Sequence, residues 1–404
     1  MTCRRVVVTG IGLMTALGCD RESVWNGLVA GRCGIGAITL FDAAGYRSGQ
    51  AAEIPAFGRD SGFSEKEWAR LSRSDQIAII ASREALADAG LGSDIPPDRV
   101  GVVLGSGTGD MLRNEEWFAD MRRRGIRSAP AGKIVNHFPN APSDLVASSF
   151  GFEGLKSSVL SACSSGTVAV GYAADAISAN QIDAAIAGAS DVLCRLTLSG
   201  FNALRLVDRE PCRPFCRTRA GMNLGEAAAM LVVEELEHAR RRGAPVYAEI
   251  AGYGARCEAY HPTAPEPDGK EVAALIAAAL RAAQAPADAV DHVNAHGTAT
   301  LQNDQAESRG IRQAFGERSK RIPVTSIKSM VGHCLSAAGA VEAAALALTI
   351  ARGIVPPTVN HREPDPECDV DLVANEAREA PIRCGLSTSL AFGGNNAAIV
   401  MRRL

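Results

Sequence analysis

A repeat restricts this chain more than any other feature. Short apolar runs alternate with amphipathic or small-residue stretches through residue 243, and the same rhythm returns from 247 to the end. RRVVVTGIG (4–12) reads as a strand ending in glycines, and an alanine-rich helix around 74–90 stops at Gly90. VGVVLGSG (100–107) is a second strand, and SSVLSA (157–162) a third that leads into a helix through about residue 179. AAIAGAS (184–190) and AAAMLVVEE (227–235) complete the first half. In the second half YAEIAGYGA (247–255) is a strand, followed by a helix with Val272, Leu275, Ile276, Ala279 and Leu280 on one face. HVNAHGT (292–298), a polar helix near 303–315, and IPVTSIK (322–328) come next. A small-residue helix of 336–352 stops at Gly353, and GLSTSLAFGG and NNAAIVMRR close the chain as strands. Each half reads β-α-β-α-β-α-β-β, an α/β pattern with buried sheets. Duplication is the economical explanation. The basic stretch LEHARRRGAP (236–245) marks the seam, so the expected units are 1–243 and 244–404.

With 47% hydrophobic and 22% charged residues over 404 positions, a sizeable core is expected and disorder is not. A net charge of −3 argues against a general nucleic-acid binder. The 11 cysteines are scattered, and Cys212 and Cys216 in CRPFC have no second close pair to complete a zinc quartet. The N-terminus lacks a long apolar segment, and no apolar run of membrane-spanning length stands out elsewhere. The expected location is the cytoplasm, with reduced thiols and no membrane insertion.

Within this frame, SSVLSACSSGTVAV (157–170) puts a sulfur at a strand-to-helix junction among serines and a glycine. Free N–H groups and the helix dipole there favour a thiolate and predict a lowered pKa for Cys163. Unpaired cysteines are also often inert core residues, so this stretch alone leaves both roles open. The duplication separates them. Cys163 begins the third helix of one half, and KSMVGHCLSAAGA (328–340) leads into the third helix of the other. A pseudo-twofold would bring both helix starts to the centre, where thiol and imidazole suit nucleophilic catalysis. His296 lies in VNAHGTAT just past a strand; a lone histidine there is more often a hydrogen-bonded core residue. His333 precedes a helix, which favours neutral imidazole. Lys328, Glu307 and Asp304 lie close by in sequence, and Lys328 after an apolar strand needs a buried partner. Gly393 and Gly394 in AFGGNN suit either an oxyanion hole or a plain tight turn. GSGTGD (105–110) lacks the spacing and the later acidic residue of a dinucleotide site.

Taken together, SACSSG, NAHGTAT with Asp304 and Glu307 behind it, SIKSMVGHCLSAAG and AFGGNN resemble the β-ketoacyl-acyl-carrier-protein synthases of the elongating type. The resemblance runs from VVVTGIG to FGGNNAAIVMR. It implies a thiolase-like fold of duplicated halves in a five-layered αβαβα sandwich, a homodimer, and a Cys-His-His site. It implies that Cys163 takes an acyl chain from an acyl carrier protein, and that His296 and His333 stabilise the enolate formed as malonyl loses CO2. The N–H groups of Cys163 and Phe392 would hold the oxyanion, with Phe392 also gating the acyl pocket. Lys328 and Glu307, with Asp304, resemble a supporting ion pair. Thr298 and Thr300 match residues that bind the pantetheine arm, and Thr108, Gly393 and Gly394 join the substrate-binding set. No nicotinamide, flavin or redox metal is implied, the substrates riding on the carrier's phosphopantetheine. A monovalent cation near Asn294, Glu307, Glu342 and Ser387 is implied only by the resemblance.

This chain departs from the family pattern in places. The acidic loop F-D-x-x-x-D-G-F reads FCRTRAGM (215–222), without either aspartate and with Met222 for an aromatic. Leu390 replaces Phe and Ala391 replaces Gly before FGG, and Thr108 is polar where an apolar residue is usual. These changes point away from housekeeping fatty-acid elongation and towards a specialised polyketide-like or unusual-lipid pathway. A degradative thiolase would need a second cysteine in the glycine-rich C-terminal loop, whereas Cys384 lies upstream. Initiating synthases use Cys-His-Asn, and chain-length-factor-like partners lack the nucleophile. For the acidic carrier, the basic candidates are Arg122, Arg123, Arg124 and Arg127, with Lys66, Arg70 and Arg73 on another helix; a solvated face is the plain alternative.

Overall fold

The computed structural model describes residues 4–92, 95–109, 111–129 and 138–404. The first half supplies β1 (Val6–Met14), β2 (Val100–Gly105), β3 (Lys156–Val159), β4 (Ala184–Asp191) and β5 (Ala227–Glu235). The second supplies β6 (Ala248–Cys257), β7 (His292–Asn294), β8 (Val324–Thr325), β9 (Cys384–Ser389) and β10 (Asn395–Arg402). Among the described residues these form one ten-stranded sheet, ordered β8-β7-β9-β10-β6-β1-β5-β4-β2-β3. Outward from its middle, each half runs first, fifth, fourth, second, third. In both, the second, third and fourth strands are parallel, and the fifth is antiparallel to the fourth and the first. The repeat read from the sequence is therefore a repeat of topology.

The halves join where β1 pairs antiparallel with β6, Val6 opposite Ile250 and Val8 opposite Ala248. Buried Glu249 ties this seam together. Its carboxylate accepts from Arg5 Nε and Nη2 (2.8 and 2.7 Å) and from Arg402 Nε and Nη2 (2.6 and 3.0 Å). Against the opposing effect of burial, the two guanidiniums hold its pKa at about 2.

Helices α1 (Arg73–Ala89) and α2 (Ala141–Phe150) pack on the outer face of the first half-sheet. Helices α4 (Lys270–Ala282) and α5 (Leu301–Phe315) cover the outer face of the second. Between the half-sheets lie α3 (Ser165–Ser178) and α6 (Ala338–Arg352), completing five layers. Local signals place α1: Ser72 and Asp75 form a reciprocal capping box, and Gly90 ends the helix at φ 59°. A helix between two sheets has no solvent face, so α6 is buried on every side from Ala338 to Ile350 and is almost wholly apolar, Glu342 being its one buried charge. The 18 residues Leu335–Arg352, at mean hydropathy 1.4, are long and apolar enough to cross a bilayer. This corrects the expectation that no apolar run of that length occurs; the segment is 89% buried, as a core helix.

Several expected strands stop early. SSVLSA ends as a strand at Val159, HVNAHGT at Asn294, and IPVTSIK at Thr325. The trimmed residues become the loops that carry the candidate site. Small pieces escaped the periodicity: a three-stranded sheet of Gly36–Ala37, Gln50–Ala52 and Leu224–Gly225, and helices Met111–Arg124 and Arg195–Ala203.

The first turns of α3 and α6 meet at two glycines. A Cβ on Gly166 would stand 2.6 Å from the Ala340 nitrogen, and one on Gly339 would stand 2.1 Å from Thr167 Oγ1. Gly339→Val should therefore lower stability by roughly 1–3 kcal/mol through overpacking. Gly200→Ala has open space around the new methyl and should be neutral or slightly stabilising. Thermal unfolding of both variants checks this; an unchanged midpoint for Gly339→Val would show that the helices separate freely.

Candidate active site

Each central helix is preceded by the same strained turn. Ala162 and Leu335 both sit at φ 51°, each opening a short 3-10 turn (Ala162–Ser164 and Leu335–Ala337) before its helix. Non-glycine residues adopt this conformation only when held there. At the first turn the serines do the holding. Ser165 Oγ donates to the Ala162 carbonyl (2.7 Å) and accepts from the Ser161 N–H (2.9 Å). Ser164 Oγ lies 2.8 Å from the Ser161 carbonyl and 2.5 Å from that of Asn395, its one proton shared between them. The turn so fixed carries buried Cys163 and is tied to the loop that bears Phe392.

Burial pushes the Cys163 thiol up to about 11, opposed by the Lys328 charge and by a hydrogen bond from the Phe392 N–H. This corrects the lowered pKa expected from a helix start: full desolvation of the thiolate outweighs these local attractions.

His296 follows β7, and Glu307 on α5 holds its backbone. The Glu307 carboxylate accepts the N–H groups of His296 and Gly297 (both 2.7 Å) and the Thr388 hydroxyl (2.7 Å). Lys328 Nζ lies 3.2 Å from His296 Nδ1 and is ion-paired with Glu342 on α6; both side chains are 2% exposed. The expected Lys328–Glu307 ion pair is thus replaced by Lys328–Glu342, because the Glu307 oxygens are engaged by backbone and hydroxyl donors. Asp304 is not part of that pair either. It accepts from the N–H of Phe215 (2.8 Å) and Ala299 (3.2 Å), and faces the buried guanidinium of Arg219 at 3.5 Å.

His333 is gripped by the first half of the chain. Its N–H donates to the Asn223 carbonyl (2.7 Å), and its own carbonyl accepts from Gly225 (3.0 Å). Its Nδ1 accepts the Leu335 N–H at 3.1 Å. The two imidazoles meet edge to face, centroids 5.3 Å apart at 87°. Burial, and then the Lys328 charge, hold both pKa values well below the ordinary histidine value, so both rings are neutral. Each Nδ1 faces a donor, which assigns the ring proton to Nε2.

Cys163, His296, His333, Phe392, Thr298 and Met222 line one cavity of about 60 Å³. Thr300 lines it too, its Oγ1 3.0 Å from that of Thr298, as does Gly394. Gly393 is exposed and outside the cavity. Thr108, expected in the substrate-binding set, also lies outside the lining, its hydroxyl 3.4 Å from Asp191 Oδ1. Of the residues grouped around a monovalent cation, Asn294 leaves a buried Oδ1 without a hydrogen-bond partner, while the Glu307 oxygens are engaged.

Sequence reasoning missed the supports of the 391–394 loop. Asn396 accepts the Ala391 N–H (2.9 Å) and donates to Glu258 (2.9 Å), whose N–H donates to the Gly394 carbonyl (2.9 Å). It also missed Glu342 as the partner of Lys328, although a lone carboxylate inside AGAVEAAALALTIA (338–351) is itself a signal of a buried charge pair.

The family model for the beta-ketoacyl synthase N-terminal domain matches residues 3–239, and that for the C-terminal domain matches 247–362. The chain is 40% identical to the tetracenomycin polyketide synthase ketoacyl synthase alpha subunit of Streptomyces glaucescens, over 99% of this chain and 97% of that one. It is 38% identical to 3-oxoacyl-[acyl-carrier-protein] synthase 2 of Staphylococcus aureus (strain N315), over 99% and 98%. A chain in the solved structure of a type II PKS acyl-carrier protein in complex with its ketosynthase bound to the hexaketide (AntDE:AntF) superposes with TM-score 0.91 at 32% identity, covering 100% of both chains. With matches to both of its domains in order along a duplicated five-layer fold, the chain belongs to the β-ketoacyl synthase family.

Proposed function

We propose that this enzyme condenses an acyl group held on Cys163 with malonyl-acyl carrier protein, giving 3-oxoacyl-acyl carrier protein and CO2. The observation that carries the reading is the pair of neutral imidazoles set edge to face beside a buried thiol. In the first step the Cys163 sulfur attacks the acyl thioester, and its proton leaves with the carrier's thiol. Neither histidine is the base here, since each Nδ1 already faces a donor. In the second step the malonyl carboxylate leaves as CO2, and its bonding pair forms an enolate whose oxygen is held by the two Nε2–H donors. The enolate carbon attacks the acyl carbonyl, the N–H groups of Phe392 and Cys163 hold the resulting oxyanion, and collapse returns the Cys163 thiolate, which takes up a proton. Thr298 and Thr300 hold the pantetheine arm, and Phe392, its ring tilted 30° against that of Phe201 with centroids 5.5 Å apart, gates the acyl side. The reaction draws on no redox cofactor.

A thiolase reading is disfavoured by position. Cys384 opens β9, roughly 16 Å of strand from the loop at its other end. The named relatives include both a fatty-acid-type and a polyketide synthase. Met222 in the cavity and the FCRTRAGM sequence at 215–222 favour a specialised pathway; a cytoplasmic location is proposed with it. A homodimer is supported by β3, which is an edge strand of the sheet among the described residues, and by exposed Leu160 immediately after it. The carrier's docking face comprises Arg122, Arg123, Arg124 and Arg127 with Lys66 and Arg70, all exposed. Arg73 drops out of that set, because its guanidinium is bound to buried Glu226 at 2.9 and 2.7 Å.

Intact mass after incubation with acyl-carrier protein should show an acyl adduct on the wild type and none on Cys163→Ala, with the fold retained. The alkylation rate of this thiol should keep rising with pH beyond about 8.5, the ordinary thiol value. An adduct on the variant would move the nucleophile to another cysteine.

His296→Ala and His333→Ala should each slow malonyl decarboxylation by roughly a hundredfold, as for loss of an oxyanion donor. Acylation of Cys163 should suffer much less. Wild-type decarboxylation in both variants would overturn the enolate assignment.

Reversing Arg123 and Arg124 to Glu should slow reaction with the carrier and leave a small acyl-pantetheine mimic nearly unaffected. The wild-type rate with carrier should fall as salt rises past about 0.1 M. Equal losses with carrier and mimic would remove the docking assignment.

A further inference from the structure

Asp191 ends β4, is 1% exposed, and belongs to the first half, yet half of its side-chain hydrogen bonds go to the second. Its Oδ2 accepts both the N–H (3.1 Å) and the hydroxyl (2.7 Å) of Ser336. Its Oδ1 accepts the Val192 N–H (3.0 Å) and faces the Thr108 hydroxyl (3.4 Å). The loop above it leaves no slack: a Cβ on Gly107 would lie 2.3 Å from Asp191 Oδ2 and 3.4 Å from Ser336 Cβ.

Ser336 is the counterpart of Cys163. Each follows the residue at φ 51°, and each stands three positions before the glycine where the central helices touch. In one half this position bears the sulfur; in the other it bears a hydroxyl clamped by a carboxylate. The residue before it, Leu335, is the one whose N–H sets the His333 tautomer. A strained Leu335 needs its neighbours held, and two hydrogen bonds to an anion are a strong hold.

We propose that Asp191 is a positioning residue for the malonyl step: by clamping Ser336 it keeps the Leu335 N–H on His333 Nδ1, and so keeps the His333 Nε2–H pointed at the substrate. The proposal rests on the reading of His333 as an enolate donor. It separates from that reading because Asp191 does not line the cavity that holds Cys163 and the two imidazoles, and it reaches His333 through the Ser336–Leu335 turn.

Asp191→Asn is near-isosteric but cannot accept all the N–H and O–H donors that the carboxylate takes. In this variant kcat for malonyl-carrier decarboxylation should fall about tenfold, the equivalent of one lost hydrogen bond to a charged group, with KM little changed. Acylation of Cys163 should stay within about threefold of wild type, well short of that loss. Ser336→Ala should lose less than Asp191→Asn, and the double variant should be less impaired than the product of the two effects. With 15N-labelled histidine, the wild-type His333 should show one tautomer, protonated at Nε2, and Asp191→Asn a mixture. Loss of both steps together with a lowered melting temperature and an unchanged tautomer would reduce Asp191 to a structural residue and overturn the proposal. So would wild-type decarboxylation by Asp191→Asn. If His333→Ala decarboxylates like wild type, it is the reading of His333 that fails, whatever Asp191→Asn does.

Discussion

The site depends on one contact, that of the first turns of the two central helices at Gly166 and Gly339. Any larger residue there would strike the backbone or a hydroxyl of the facing helix. Close approach is what puts the turn before α3 and the turn before α6 side by side. Those turns carry the thiol and, just upstream, one of the imidazoles. A fold with the same strands and a wider central layer would leave Cys163 and His333 in separate cores.

Charge at the centre is organised by a single ammonium. Lys328 is paired with Glu342 and set against His296 Nδ1, and its positive charge helps keep both histidines neutral. A neutral imidazole with its proton on Nε2 can only donate towards the cavity. That suits an enolate or a thioester oxygen and suits a proton-abstracting base poorly. Burial that raises the thiol pKa also removes water that would quench a carbanion. Thus the same desolvation that makes the resting sulfur less reactive protects the later step.

Each half of the chain holds the working residue of the other. Ser164 ties the Cys163 turn to Asn395 near the C-terminus, and Asn223 and Gly225 grip His333 from the first half. Arg219, in the 215–222 loop, reaches Asp304 and so braces the backbone around Ala299 between the two threonines. Exchange of this kind follows from pseudo-twofold symmetry: loops at equivalent strand ends converge on the axis, so each finds its hydrogen-bond partners across it.

Periodicity and punctuation made the architecture legible, because strand alternation, the Ser72 and Asp75 cap, and the stops at Gly90 and Gly353 are local physics. The duplication is visible for the same reason, and a pseudo-twofold repeat by itself implies a common centre for Cys163 and His333. His296 alone did not announce itself, and its place among the candidates came from the motif around it. What local pattern could not show was partnership. Lys328 needed a buried anion, but the choice of Glu342 over Glu307 was decided by which carboxylate the backbone N–H groups of His296 and Gly297 had already claimed. The thiol's pKa followed the same logic, since a helix start lowers it by local dipoles while complete burial raises it by more. Chain order thus determined the elements and the chemistry they carry; only tertiary packing decided which charges meet and how dry they are, because both depend on distances between residues far apart in sequence.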